Sequence, residues 1–169
     1  SRMFYMFCGI SDFSGISDWD TSQTVNMMSA FMYCYGLTST DALTNWDTSS
    51  LTNMTYMFSD CLDLDNVNGL SDWDTSHINS LEYVFSNCRK LTDASGLKNW
   101  DTSGLTNISG VFRFCYTLKT LDLSGWNLNS VITKNSAFLV AAQTSKTCKI
   151  ICSEDVEKVI KSGTNLTTS

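Results

Sequence analysis

One property of this sequence constrains its fold more than any other: it repeats itself. The run Trp-Asp-Thr-Ser stands at Trp19–Ser22, Trp46–Ser49, Trp73–Ser76 and Trp100–Ser103. Successive tryptophans lie 27 residues apart, and Trp126 follows after 26 with Asn-Leu-Asn replacing Asp-Thr-Ser. Phe4, Phe31, Phe58, Phe85 and Phe112 recur at the same step of 27, with Phe138 after 26. Cys34, Cys61, Cys88 and Cys115 form a third series; Cys8 stands one place out of register, and Ala141 takes the last cysteine place. Between these marks, Leu37, Leu64 and Leu91 lie nine residues before their tryptophan, and Ile16, Leu43, Leu70, Leu97 and Leu123 three before.

A unit this short cannot bury its own apolar side chains. Stacking similar units turns each marked position into a continuous column, so the period predicts a β-rich solenoid of about five to six repeats. With coils about 4.8 Å apart, six of them span on the order of 29 Å. The segment from Leu118 to Ser124 ends in apolar/polar alternation and reads as a strand. The segment from Leu51 to Phe58 fits either a tight 3₁₀-like or helical turn or a second short strand. Gly15, Gly69 and Gly96, with Ala42 equivalent, stand four before tryptophan, where a coil corner needs a small residue.

Composition supports this reading. Of 169 residues, 71 are Ser, Thr, Asn or Asp and none is Pro. Turns are therefore expected to form by side-chain hydrogen bonds to backbone. Proline is excluded because stacked strands need their N–H groups.

The stretch from Trp46 to Leu64 reads W-D-T-S-x-L-T-N-M-x-x-M-F-x-x-C-x-x-L. It resembles the bacterial surface protein repeat family, relatives of the BspA-like leucine-rich repeats, and the resemblance covers about residues 1–142. It implies a right-handed, leucine-rich-repeat-like coil with short strands and 3₁₀ or helical turns. It also implies an extracellular or cell-surface location and a role in adhesion to host or matrix proteins or to other microbes. The family supplies no catalytic residues.

Residues 143–169 leave the pattern. Lys149–Cys152 reads as a last strand, and the segment from Ser153 to Lys161 as a helix capped by Ser153, with Val156, Val159 and Ile160 as its apolar stripe. This is expected to cap the solenoid of residues 1–142. Ser1–Phe4 matches Thr55–Phe58, so the first coil is expected to begin partway through a repeat, either cut from a longer chain or covered by a partner.

The net charge of −6 argues against nucleic-acid binding, which needs a basic patch. No apolar run approaches a membrane span. Residues 1–88 carry net −10 and residues 89–169 net +4. With His77 the single histidine, no nucleophile motif and no glycine-rich phosphate loop, no catalytic or cofactor site is expected.

Asp20, Asp47, Asp74 and Asp101 would form a column of carboxylates. Each is expected to accept hydrogen bonds from nearby backbone N–H groups and the following Thr or Ser; calcium is the alternative reading. The cysteine column is expected to be buried, reduced thiol. Trp and Phe are assigned to the core. Tyr33, Tyr35, Tyr56, Tyr83 and Tyr116 change position between units and are the candidate contact residues. The expected function is a non-catalytic binding scaffold for a protein partner or a host surface. The alternative is a structural subunit that self-associates end to end through its N-terminal coil.

Overall fold

The computed structural model describes residues 2–3, 6–7, 9–10, 12–138 and 148–163. Phe4, Cys8 and Ala141, and the cap residues 143–147 and 164–169, lie outside the described residues.

The backbone donors explain how one unit meets the next. The N–H groups of Met27, Ser29, Phe31 and Tyr33 donate to the carbonyls of Asn53, Thr55, Met57 and Ser59 at 2.8–3.0 Å. Those of Ala30, Met32 and Cys34 turn back onto the carbonyls of Met27, Ser29 and Phe31 at 3.1 Å. Every second donor thus joins the next unit, and the others close overlapping turns. The pattern recurs from Tyr56, Phe58 and Asp60 to Glu82, Val84 and Ser86, and from Leu81, Tyr83, Phe85 and Asn87 to Asn107, Ser109, Val111 and Arg113. The segment from Leu51 to Phe58 is therefore neither strand nor helix.

The turns need a left-handed residue at two places per unit. One is occupied by Ser29, Tyr56, Tyr83, Gly110 and Ser136, the other by Tyr33, Asp60, Asn87 and Phe114, all with φ between 54° and 65°. Asn and Asp adopt this conformation at modest cost, whereas a bulky aromatic residue rarely does. At Gly110 a Cβ would collide with the Tyr83 ring, so that position is closed to side chains on two counts.

Two parallel ladders run along the stack. One joins Arg2 to Asn26 to Asn53, and Ser80 to Asn107 to Thr133; the other joins Ser39, Asn66, Asp93 and Thr120. Short strands are expected here, yet most rungs are single bridges. The rung residues are the cause. Asn26, Asn53, Asn107 and Asp93 each accept, on the side-chain Oδ1, the N–H of the residue two places on, at 2.9 Å. That bond bends the chain after one rung. Thr120 carries no Oδ1, and there the pairing extends into a strand. This strand, β1 (Thr120–Leu123), pairs in parallel with β2 (Lys149–Cys152), from Thr120↔Lys149 to Leu123↔Cys152.

Three-residue 3₁₀ turns precede the tryptophans at Asp41–Leu43, Asn68–Leu70 and Ser95–Leu97. Gly69 and Gly96 pass so close to the carbonyls of Thr40 and Val67 that a Cβ would collide with them. Beyond β2, helix α1 (Glu154–Gly163) buries Val156 and Ile160. Its first turn is held by Ser153, whose carbonyl accepts from Glu157 N–H at 2.9 Å.

The core is built of columns. Phe31, Phe58, Phe85, Phe112 and Phe138 stack ring on ring at 5.3–6.1 Å. Below Phe31 the ring is Phe7, at 4.6 Å and 9°. Arg2 sits opposite Asn26, and Met3 N–H donates to the Asn26 carbonyl. The expected match of Arg2 and Met3 to Tyr56 and Met57 is therefore corrected: Arg2 takes the place of Asn26 and Asn53, and Phe7 stands in the phenylalanine column beside Phe31.

Candidate interaction surface

The recurring motif accounts for itself from within. The Nε1–H groups of Trp46, Trp73, Trp100 and Trp126 donate to the carbonyls of Ile16, Leu43, Leu70 and Leu97 in the preceding unit, at 2.8–3.1 Å. All four indoles are buried, whereas Trp19 in the first unit is 37% exposed. The motif threonines face inward. Thr21, Thr75 and Thr102 donate to the carbonyls of Asp47, Asp101 and Asn127 of the next unit at 2.9–3.1 Å. Thr48 accepts from Asp74 N–H at 2.8 Å.

Asp20, Asp47, Asp74 and Asp101 all face solvent. Each uses one Oδ1 to accept both the N–H (3.0–3.1 Å) and the hydroxyl (2.6–2.7 Å) of the serine two places on. The serine hydroxyl, then its N–H, holds each carboxyl below the ordinary carboxylate range, against desolvation in all four and the repulsion of a neighbouring aspartate at Asp20, Asp47 and Asp101. One oxygen of each carboxylate is committed to the turn. Among the described residues, no group of three or more His, Cys, Asp or Glu is arranged to hold a metal ion.

The thiols of Cys34, Cys61, Cys88 and Cys115 are reduced, buried and donate to the carbonyls of Phe7, Phe31, Phe58 and Phe85 at 2.7, 3.1, 3.2 and 3.1 Å. Burial raises the pKa of Cys61 and Cys88 and pushes Cys115 up to about 12. A thiol so reluctant to ionise is a poor nucleophile and a poor metal ligand. These cysteines serve the column, as the tryptophans do, by donating to the unit before.

The five candidate tyrosines fall into two groups. Tyr56 and Tyr83 are half-buried and stack on one another at 5.0 Å and 8°. Tyr33, Tyr35 and Tyr116 are 38, 50 and 36% exposed. They belong to one pair of neighbouring columns, which read Tyr33 and Tyr35, then Asp60 and Leu62, then Asn87 and Arg89, then Phe114 and Tyr116. Tyr33 lies 6.2 Å from Tyr35, and Phe114 stacks on Tyr116 at 6.0 Å. Between the aromatic pairs, Asn87 Nδ2 donates to Asp60 Oδ1, and Arg89 Nε donates to Asn87 Oδ1 at 2.8 Å. Tyr33, Tyr35 and Tyr116 are among the residues that sequence reasoning singles out; it does not single out Phe114, Arg89 or Arg113. Aligning the units by their cysteines would have exposed the column that links them.

Residues 1–95 and 63–167 each match the family model described as "Mycoplasma protein of unknown function, DUF285". No curated protein and no solved structure matches the chain.

Proposed function

The chain belongs to the DUF285 family, and on that premise we propose that it is a non-catalytic scaffold, working outside the cell or at its surface, that binds a protein partner or a host matrix. In this reading the stacked units are a leucine-rich-repeat-like solenoid related to the BspA-like surface repeats, and β2 with α1 covers its last unit.

A contrast between columns supports it. The Trp, Phe and Cys columns keep their residue type in successive units and, apart from Trp19 in the first unit, are buried. The columns from Tyr33 and Tyr35 to Phe114 and Tyr116 change residue type at every unit and place large side chains on the surface. A constant interior carrying a variable face is how a repeat protein presents a rigid recognition surface. Exposed tyrosines suit that role, because they give large contact area at low entropy cost.

The test is surface plasmon resonance of the chain over a panel of immobilised host matrix proteins and over whole microbial cells. Binding that is lost in the double variant Tyr33→Ser and Tyr35→Ser is the expected result. No binding to any surface, or binding indifferent to that variant, overturns the reading.

A further inference from the structure

The cations of this acidic chain do not all find acids. Lys90 pairs with Asp63 at 2.6 Å, Lys98 with Asp122 at 3.1 Å, Lys158 with Glu154 and Asp155 at 3.3 Å, and Lys161 with Glu157 at 2.6 Å. Arg89 and Arg113 pair with no carboxylate among the described residues, although the chain holds 17 Asp and Glu. Each guanidinium instead lies over an aromatic ring. Arg113 is 4.4 Å from the centre of Phe114, and Arg89 is 5.9 Å from that of Tyr116. The two rings stack on each other, so the four side chains form one continuous plate. Arg113 Nε is buried with no hydrogen-bond partner.

A guanidinium laid on a ring directs its N–H groups outward in its own plane, where a carboxylate can be held by two parallel bonds. Its weak hydration lowers the cost of covering it. Backbone preference points the same way. The left-handed place is filled cheaply by Asp60 (φ 62°) and Asn87 (φ 64°), whereas Phe114 (φ 65°) holds it against its own steric preference. Folding alone would be served by Asn there.

We propose that Arg89, Arg113, Phe114 and Tyr116 form a site for an acidic peptide segment of a protein partner. One carboxylate meets the terminal Nη1/Nη2 edge of each guanidinium, since Arg113 Nε is buried and Arg89 Nε is held by Asn87, and the apolar side chains between them lie on the exposed Tyr116. The proposal rests on the scaffold reading and names the chemistry of its partner. A dense polyanion such as a sulfated glycan or a nucleic acid fits less well. Asp60 and Asp65 lie in the unit before Arg89, so a continuous polyanion meets repulsion on that side of the site, although residues 89–169 themselves carry net +4, whereas spaced carboxylates need meet only the two guanidiniums.

The experiment is fluorescence anisotropy of the whole chain with a labelled peptide of glutamates interspersed with leucines. Its glutamine analogue and a heparin fragment serve as comparisons. The acidic peptide is expected to bind, more weakly as salt rises, and the glutamine analogue at least tenfold less tightly. Arg89→Gln and Arg113→Gln should each weaken binding at least tenfold, and Arg89→Lys several-fold, because an ammonium neither stacks nor forks. Should the half-buried Arg113 prove necessary for folding, the exposed Arg89 carries the test alone. Equal binding of the glutamine analogue, an unaffected Arg89→Gln, preference for heparin, or no binding of the acidic peptide overturns the proposal. If the peptide fails while Tyr33→Ser and Tyr35→Ser still abolish surface adhesion, the anion site falls and the scaffold reading stands.

Discussion

Replacing Cys88 by serine tests whether the column selects the length of a thiol or merely its size. Cys88 is fully buried, and its Sγ lies 3.2 Å from the Phe58 carbonyl. A C–O bond is shorter than a C–S bond, so a serine hydroxyl is drawn back by several tenths of an ångström, to the edge of hydrogen-bonding reach. The Phe58 carbonyl keeps Cys61 N–H at 3.2 Å, so the loss falls on the hydroxyl. A buried hydroxyl left without a partner costs about 1–3 kcal/mol, and the lost sulfur contacts add about 1 kcal/mol. Cys88→Ala forfeits only the contacts and should cost about 1–2 kcal/mol. Cys34 stands 2.7 Å from the Phe7 carbonyl, so serine there stays within reach and should cost about 1 kcal/mol. Urea unfolding followed by tryptophan fluorescence gives the order Cys88→Ser, then Cys88→Ala, then Cys34→Ser, and calorimetry should place Tm for Cys88→Ser on the order of 10 °C below the parent. A Cys88→Ser protein as stable as the parent, or a Cys34→Ser protein less stable than Cys88→Ser, would refute the argument.

Three further outcomes follow from the columns. Thr40 is fully buried, its hydroxyl has no partner among the described residues, and Val67, Ala94 and Leu121 take its place in later units. Thr40→Val should therefore raise the urea midpoint, by about 1 kcal/mol of stability. Gly96→Ala should cost more than about 2 kcal/mol, since its Cβ meets the Val67 carbonyl, while Gly15→Ala, with open space around it, should leave Tm nearly unchanged. Asp122 is lowered to about 2, first by the Ser124 hydroxyl and N–H and then by Lys98. A carboxyl whose folded pKa lies below its unfolded value of 3.8 stabilises the fold above that value and loses the contribution as pH falls towards 2. Asp122→Asn should therefore flatten the fall of Tm between about pH 4 and pH 2; an unchanged slope would count against the assignment.

Much of the interior was legible because periodicity reports burial directly. Trp46, Phe58, Cys61 and Leu64 are all marks in the sequence and all lie in the core. Gly69 and Gly96 were legible as corner residues, and the aspartates as turn formers, because those residue types have few other uses there. What could not be read is which atom each side chain uses. Nothing in a column of cysteines says that the thiol donates to a carbonyl 30 residues back. Nor does an asparagine in a strand-like place announce that it ends the strand after one rung. The first unit was misread for a different reason. Counting sets Arg2 and Met3 beside Tyr56 and Met57, but contacts set them three places earlier in the unit, and only packing distinguishes the two. The site was legible by halves. Exposed tyrosines stand out by composition, while Arg89 and Arg113 look like ordinary surface cations until their rings are seen beneath them.

The alternating donors of the stack bear on aggregation. In an extended strand, donors two residues apart are separated by about 6.8 Å, a spacing common to every edge that amyloid recruits. Here the donors of Met27, Ser29, Phe31 and Tyr33 are drawn together by the overlapping turns between them. A foreign strand offered to such an edge falls out of step after a bond or two. Only a chain that turns in the same way, left-handed at the same two places, can extend the row. The fold thus discriminates self from other through the rhythm of its backbone, without the charged side chains or prolines by which ordinary sheets guard their edges.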